Sequence, residues 1–367
     1  MNIDQIASAT FIPGGAYVAA GVPQPLLRDR STMRVSLRAI GAGVEAGSIG
    51  ARTATLNRRQ DLPGLDVDIT ACYPNAAALS GIQDFLTHEV TAHDVKGTRA
   101  LARLSACILD AVDGDLLRHP KLWRDLAFLV KVRPDGDVLT LPVELFGTQA
   151  TLTAPIFVGT EAIWVSGYDL ALALVEDLDA GGPGRLPEIV EAWTFEFGAR
   201  LRGLRSVGFP GGWTWDPRRA STYRSKDGRT WGNLYLLLAA MRIATRSDPE
   251  LSAAARGRRG VVLKTAAVAA AFGMFIATTV RPDHVAGTPH RVITSDGIRT
   301  TDRGRAERPG PWAFPPAAAL VQGAGRLLLT LLMHEARVRG GAFMQVDTDG
   351  GFIFATPEGG QSDEEMT

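Results

Sequence analysis

Apolar and polar positions along the chain change period several times, and the changes mark its elements. The clearest short pattern is residues 343–354, FMQVDTDGGFIF, where two strand-length apolar pieces flank Asp347, Thr348 and Asp349. It predicts a β-hairpin whose turn carries two aspartates, with Gly350-Gly351 supplying the turn chemistry. Residues 65–69 are short and apolar between acids and read as a buried strand. Asp66 and Asp68 then point to one side of it. Pro74 closes the strand region, and Asn75 is an N-cap for a helix over 75–86.

Further along, 97–112 reads as an amphipathic helix, 126–132 with 138–141 as a hairpin, 163–165 as a strand and 168–178 as a helix. Residues 188–197 fit strand or helix equally. Residues 203–230 and 282–310 read as loops. Between them lie helices over 231–246 and 251–279, joined and capped by the turn 247–250. Short loops make such helices antiparallel neighbours. One arm carries Arg256, Arg258, Arg259 and Lys264. Pro315 opens a third long helix to about residue 339. Residues 1–60 show no long helical period, and the acidic tail 358–367 has the composition of a disordered segment. The fold class expected is α+β, an antiparallel sheet with packed helices and an inserted helical hairpin.

Composition adds bounds. A 367-residue chain, 46% hydrophobic and 21% charged, is an ordinary globular sequence with room for two or three subdomains. Cys72 and Cys107 form no CxxC and point to neither a disulfide framework nor a zinc site. The N-terminus lacks a basic segment followed by an apolar core, so a cytoplasmic setting is expected. The uncharged run 265–280 is shorter than the roughly 20 residues of a spanning helix and reads as a buried helix, so no membrane partner is expected.

Charge is more informative in its distribution than in its sum. Lys and Arg equal Asp and Glu overall, but residues 61–199 hold 9 basic against 21 acidic residues, and residues 200–310 hold 20 against 8. A basic block between acidic ones is either a solvated surface or a phosphoryl-transfer cleft, with cations for the polyanion and carboxylates for a metal. Residues 41–47, GAGVEAG, lack the spacing of a dinucleotide loop. Asp113-Gly-Asp115 and Asp135-Gly-Asp137 read as polar turns. A carboxylate pair on a tight hairpin is a rigid oxygen donor for a divalent ion, and the partner carboxylate is read as Asp68.

Three stretches carry a family resemblance, in order. DITACYPN from Asp68 resembles the first palm motif of family B DNA polymerases, LKTAAVAAAFGMF from Leu263 their fingers motif, and VDTDG from Val346 their Asp-Thr-Asp-Ser hairpin. GSIGARTA (47–54, ending at Ala54) resembles the Gly-Gly-Arg segment that touches the template backbone, and the long third helix resembles the palm helix before the last motif. The resemblance implies an N-terminal segment (1–60) leading into the palm, palm over 61–202 and 286–357, fingers over 203–285, and the tail beyond.

It further implies DNA-directed synthesis from dNTPs on a DNA primer-template with two Mg²⁺ ions, or Mn²⁺, about 3.5–4 Å apart. The metal set is Asp68, Asp349 and the Ile69 carbonyl, with Asp347 as a catalytic neighbour. Tyr73 is implied under the sugar, Lys264 at the triphosphate, and Val268, Ala271 and Phe272 as the platform for the base pair. Arg229 is read as the second cation, ahead of Arg242 and Arg246, which map towards the hairpin tip. Arg52 and Thr348 are read towards template and primer.

The sequence also departs from the family. Val268 and Phe272 stand for its asparagine and tyrosine, Gly350 for its serine, and Gly273 falls nine rather than eight residues after the lysine. No exonuclease or thumb is recognised, so a truncated or split polymerase is expected, a separate chain supplying the missing part. The alternative is an inactive remnant that binds nucleic acid or a protein. A DxD glycosyltransferase would need a Rossmann-like alternation before the DxD, which the pattern lacks.

Overall fold

The structure is a computed structural model that describes residues 33–47, 53–55, 64–133, 135–138, 142–145, 148–151, 156–158, 162–201, 207–209, 213–215, 223–224, 230–280, 285–294, 296–302, 307–309 and 313–355. The fold is α+β, with mainly antiparallel sheets and packed helices. The chain divides into two compact units. Unit 1 comprises Met1–Val44, Tyr73–His93 and Phe195–Val321; unit 2 comprises Glu45–Cys72, Asp94–Thr194 and Gln322–Thr367.

Unit 1 contains the helical hairpin. Its first arm is Leu234–Arg246, started by Asn233, whose Oδ1 accepts from the Tyr235 amide at 2.8 Å. Gln83 Oε1 accepts from the Leu234 amide at 2.7 Å, tying the arm to the loop before the short helix Asp84–Thr87. The second arm is Ala253–Val268, continued by a π-helical turn, Ala269–Gly273, and a last turn, Met274–Ile276. Its cap is Ser252, whose Oγ accepts from Ala255 at 3.2 Å, rather than the turn 247–250. Phe85 packs in T-shaped geometry on Phe195 and Phe197 and tilted on Phe314, giving this unit an aromatic centre.

Several expectations are corrected here. Residues 37–47 are a helix, Leu37–Gly47. Gly43 is required in it, because a Cβ there would collide with Pro316. Trp231 lies in a strand, and the stretch read as loop over 203–230 contributes a four-stranded meander ending at Thr230–Trp231. Likewise, 282–310 contains the hairpin His290–Thr294 with Gly297–Thr301. Both are short strands rich in turn residues, whose pairing is not visible as a hydrophobic period. Asn75 is inside a helix, Cys72–Leu79, rather than at its cap, and that helix stops well before residue 86.

Unit 2 is built on the last part of a 24-residue helix, Pro315–Val338. This helix and Ala253–Ile276 are long and apolar enough to cross a membrane, but 89% of the apolar window in Pro315–Val338 is buried within the protein. Its Leu329 and Met333 pack with Phe343 and Val346 of the aspartate hairpin, flanked by Val67, Ile69 and Ile353. Helix Gly167–Asp179 opens with a capping box in which Ser166 and Asp169 satisfy each other's backbone. The same Asp169 accepts from buried Arg326 Nε at 2.8 Å. At the other end Asp179 is held by His334 at 2.6 Å and Arg337 at 2.7 Å.

The hairpin expected over 126–141 is not formed. Leu129–Arg133 pairs with Ile163–Ser166 and with Glu188–Trp193, while Asp135–Val138 pairs with Ile156–Val158. Asp135-Gly-Asp137 is therefore strand rather than turn, and the ambiguous 188–197 is strand, Glu188–Arg200.

Candidate functional site

The aspartates lie on a four-stranded sheet of unit 2, in the order Thr53–Thr55, Gly341–Asp347, Gly350–Ala355, Leu65–Asp68. The pairing register sets the chemistry. Thr53, Asp347, Gly350 and Asp68 form one rung across all four strands. The next rung is Ala54, Val346, Gly351 and Val67, and it carries the valines of the hydrophobic core. Because successive side chains alternate between faces, the aspartate rung faces away from that core. Asp68 and Asp347 are indeed exposed, with Asp349 half-buried. Gly350 separates Asp68 from Asp347, two strand spacings or about 10 Å across the sheet.

The turn itself is Thr348-Asp349, so Gly350 and Gly351 belong to the strand instead of supplying the turn. Gly350 has a different role. A Cβ there would run into the Val67 carbonyl oxygen and lie 3.0 Å from Asp68 Cα. The serine of the resembling motif does not fit at this strand spacing, which is the physical reason for the departure seen in the sequence.

Asp349 is drawn towards Asp68 by the backbone: the Ile69 amide donates to the Asp349 carbonyl at 2.7 Å. Thr348 takes a positive φ of 60°, unusual for a β-branched residue, and its Oγ1 donates to Asp347 Oδ1 at 2.9 Å. Ala71, three residues after Asp68, has φ 55°. Asp115 is the third non-glycine residue with positive φ among those described, so two of three flank the carboxylates. Backbone strain of this kind costs about 1–3 kcal/mol per residue and collects at functional sites.

The two carboxylates also converge electrostatically. The Cys72 thiol is pushed up to about 12, first by burial and then by the charges of Asp349 and Asp68. Asp347 is not among its causes, so Asp68 and Asp349 are the pair acting on one point. Among the described residues no group of three or more His, Cys, Asp or Glu side chains is arranged to hold a metal ion. Two carboxylates, one at a strand end and one in the adjoining turn, are nonetheless a hard oxygen donor set of the kind Mg²⁺ uses, with water, backbone and substrate phosphate completing its shell.

In unit 1, Tyr73 and Phe272 are half-buried and stacked, with ring centroids 5.5 Å apart and planes 15° apart. The extra residue between Lys264 and Gly273 is absorbed where the helix widens into the π-turn Ala269–Gly273. The single smooth face expected for Val268, Ala271 and Phe272 is accordingly broken: Ala271 is fully buried, while Val268 and Phe272 are partly exposed. Lys264 is exposed. Arg242 and Arg246, set aside in the sequence as too near the tip, line one groove with Lys264. Arg229 and Arg52 lie outside the described residues. Sequence reasoning missed the shared rung of Asp68 and Asp347, the Tyr73–Phe272 stack and the arginine groove. Only the nine-residue spacing from Lys264 to Gly273 hinted at any of them.

The class defined by these observations is an α+β protein with a carboxylate-bearing β-hairpin and a cationic helical hairpin. No family model matches the chain, and no curated protein matches its sequence. Among solved structures the chain is similar to Phi29 DNA polymerase in an orthorhombic crystal form, at 11% identity and a TM-score of 0.41, covering 96% of this chain and 48% of that one. It is also similar to Phi29 DNA polymerase complexed with primer-template DNA and incoming nucleotides, at 10% identity and a TM-score of 0.42, covering 98% and 49%. The chain thus spans about half the length of the polymerase chains it matches.

Proposed function

We propose that the chain is the palm-and-fingers portion of a divergent family B DNA polymerase, adding deoxynucleotides to a primer 3′ end. The observation that carries this reading is the pairing of two motifs 281 residues apart. Asp68 stands opposite Gly350, and Ile69 bonds to the Asp349 carbonyl, so the end of one strand and the hairpin turn bring the two motifs together.

In this reading Asp68 and Asp349 hold Mg²⁺, with the Ile69 carbonyl and Asp347 beside them. Bound there, the metal supplies charge stabilisation for nucleotidyl transfer. The residues of the chain position and select. Lys264 brings a point charge for the triphosphate. The Tyr73–Phe272 stack offers a flat aromatic wall that selects sugar and base by shape, since Val268 and Phe272 lack the polar groups of the resembling motif. Arg52, Arg229 and Thr348 complete the proposed contacts to template, nucleotide and primer. A DNA primer-template, dNTPs and a second chain supplying further domains are the proposed partners. A reducing, cytoplasmic setting accords with both cysteines being free thiols.

Among the described residues no three His, Cys, Asp or Glu side chains are grouped to hold a metal ion, and a second reading is an inactive polymerase-like protein that binds nucleic acid or a partner. Primer extension with Mg²⁺ or Mn²⁺ separates the two. Asp68→Asn and Asp349→Asn should each abolish extension while melting like the wild type. A wild-type chain that extends no primer in either metal selects the second reading.

A further inference from the structure

The helical hairpin of unit 1 carries six cations against two anions between Leu234 and Ile276. Four of the six, Arg242, Arg246, Arg256 and Lys264, line a single groove of about 360 Å³, whose floor includes Gly257 and Gly260. Among the described residues no acidic residue lines it. Asp248, at the tip, is committed elsewhere: its carboxylate lies 3.9 Å from Arg259, and its carbonyl accepts from Arg256 at 2.9 Å. A further bond from Arg256 to the Leu251 carbonyl, at 2.6 Å, fixes that guanidinium at the outer end of the groove.

Arg242 and Arg246 are one helical turn apart on the first arm, a like-charge pair that destabilises a helix unless an anion lies between. Gly257 and Gly260 stand one turn apart on the second arm, and a Cβ at either would meet nothing within 4 Å. Packing does not require glycine there, and its absence of side chain keeps the groove open. From Arg256 to Lys264 the cations extend over about 12 Å of helix.

We propose that this groove is a binding track for the phosphate backbone of single-stranded nucleic acid. A row of cations 12 Å long suits a chain of consecutive phosphates, each bringing one charge. A duplex is too wide for a groove between helices whose axes pack about 8–10 Å apart. A free triphosphate carries enough charge but concentrates it in a span shorter than the row, leaving the outer end at Arg256 without a phosphate. Lys264 alone belongs also to the nucleotide site proposed above; Arg242, Arg246 and the glycines extend the function outward from it.

The test is binding of a fluorescein-labelled oligothymidylate to the full chain in EDTA, across a series of salt concentrations. Each phosphate contact to a single strand contributes about 0.7 to the slope of log K against log salt. Arg242→Gln with Arg246→Gln should therefore flatten the slope by about 1.4 and weaken binding. Gly257→Leu with Gly260→Leu fills the groove without changing charge and should weaken binding while leaving the slope of the residual complex steep. Arg258→Gln, an exposed cation outside the groove, should leave the slope unchanged. Binding is read in EDTA, where no metal-dependent nucleotidyl transfer proceeds, so that failure of the polymerase reading and failure of the track are distinguishable. An unchanged slope in the double-arginine variant overturns the proposal. So does a loss confined to binding of free dTTP.

Discussion

Gly350 makes the sharpest test of how the sheet builds the site. Gly350→Ala adds one methyl group, aimed at the Val67 carbonyl oxygen and 3.0 Å from Asp68 Cα. Both obstacles are backbone atoms of the neighbouring strand, so no side-chain rotation relieves the clash and the strand itself must move. Overpacking of this kind costs about 1–3 kcal/mol. For a unit of this size that is a fall of roughly 2–12 °C in Tm. The moving strand carries Asp68, while Asp349 is tied to it through the 2.7 Å Ile69 bond. Under the proposed function, a shift of about 1 Å between the two carboxylates lowers the rate of primer extension on the order of 100-fold. Thermal melts and primer extension on the same preparations read both effects. Gly257→Ala provides the contrast: it sits in an exposed helix with open space around it and should gain about 0.8–1.0 kcal/mol from helix propensity. If Gly350→Ala melts and extends like the wild type, the strand spacing does not exclude a side chain and the account of the missing serine is wrong.

Other consequences follow from unit 2. Arg326→Met removes the cation from buried Asp169 and should lower stability by about 3–5 kcal/mol in denaturant melts, whereas pairing it with Asp169→Asn should recover part of the loss. Cys72, buried and with its thiol pushed above the ordinary range, should resist thiol reagents in the native protein and react on unfolding; Asp68→Asn or Asp349→Asn should lower its pKa by removing a nearby negative charge. The sign for stability follows from the raised value. The unfolded thiol ionises near 9.0 while the folded one stays neutral, so this group costs nothing below pH 9 and destabilises the fold increasingly between pH 9 and 12. A pH series of melts on the wild type and Cys72→Ala should show that divergence only on the alkaline side.

Local features were written in the sequence. The aspartate hairpin, the two arms of the helical hairpin and the long apolar helix follow from apolar period, which acts within a few positions, although the turn and cap residues read for the two hairpins were displaced. The α+β class follows from their mixture, and the order of Asp68, Lys264 and Asp349 is a property of the chain itself. What the sequence left open was non-local. Leu129–Arg133 took Ile163–Ser166 and Glu188–Trp193 as partners in place of its neighbour, because strand pairing is decided by which apolar faces bury together. The rung joining Thr53, Asp347, Gly350 and Asp68 depends on register, which the core valines of the adjacent rung fix. The widened turn that absorbs one residue before Gly273, and the stacking of Phe272 on Tyr73, exist only once helix and partner meet. Four cations spread from 242 to 264 became a groove only because the two arms fold back on each other. The residues that carry charge were legible one by one; the distances between them, on which any chemistry depends, came from the tertiary fold.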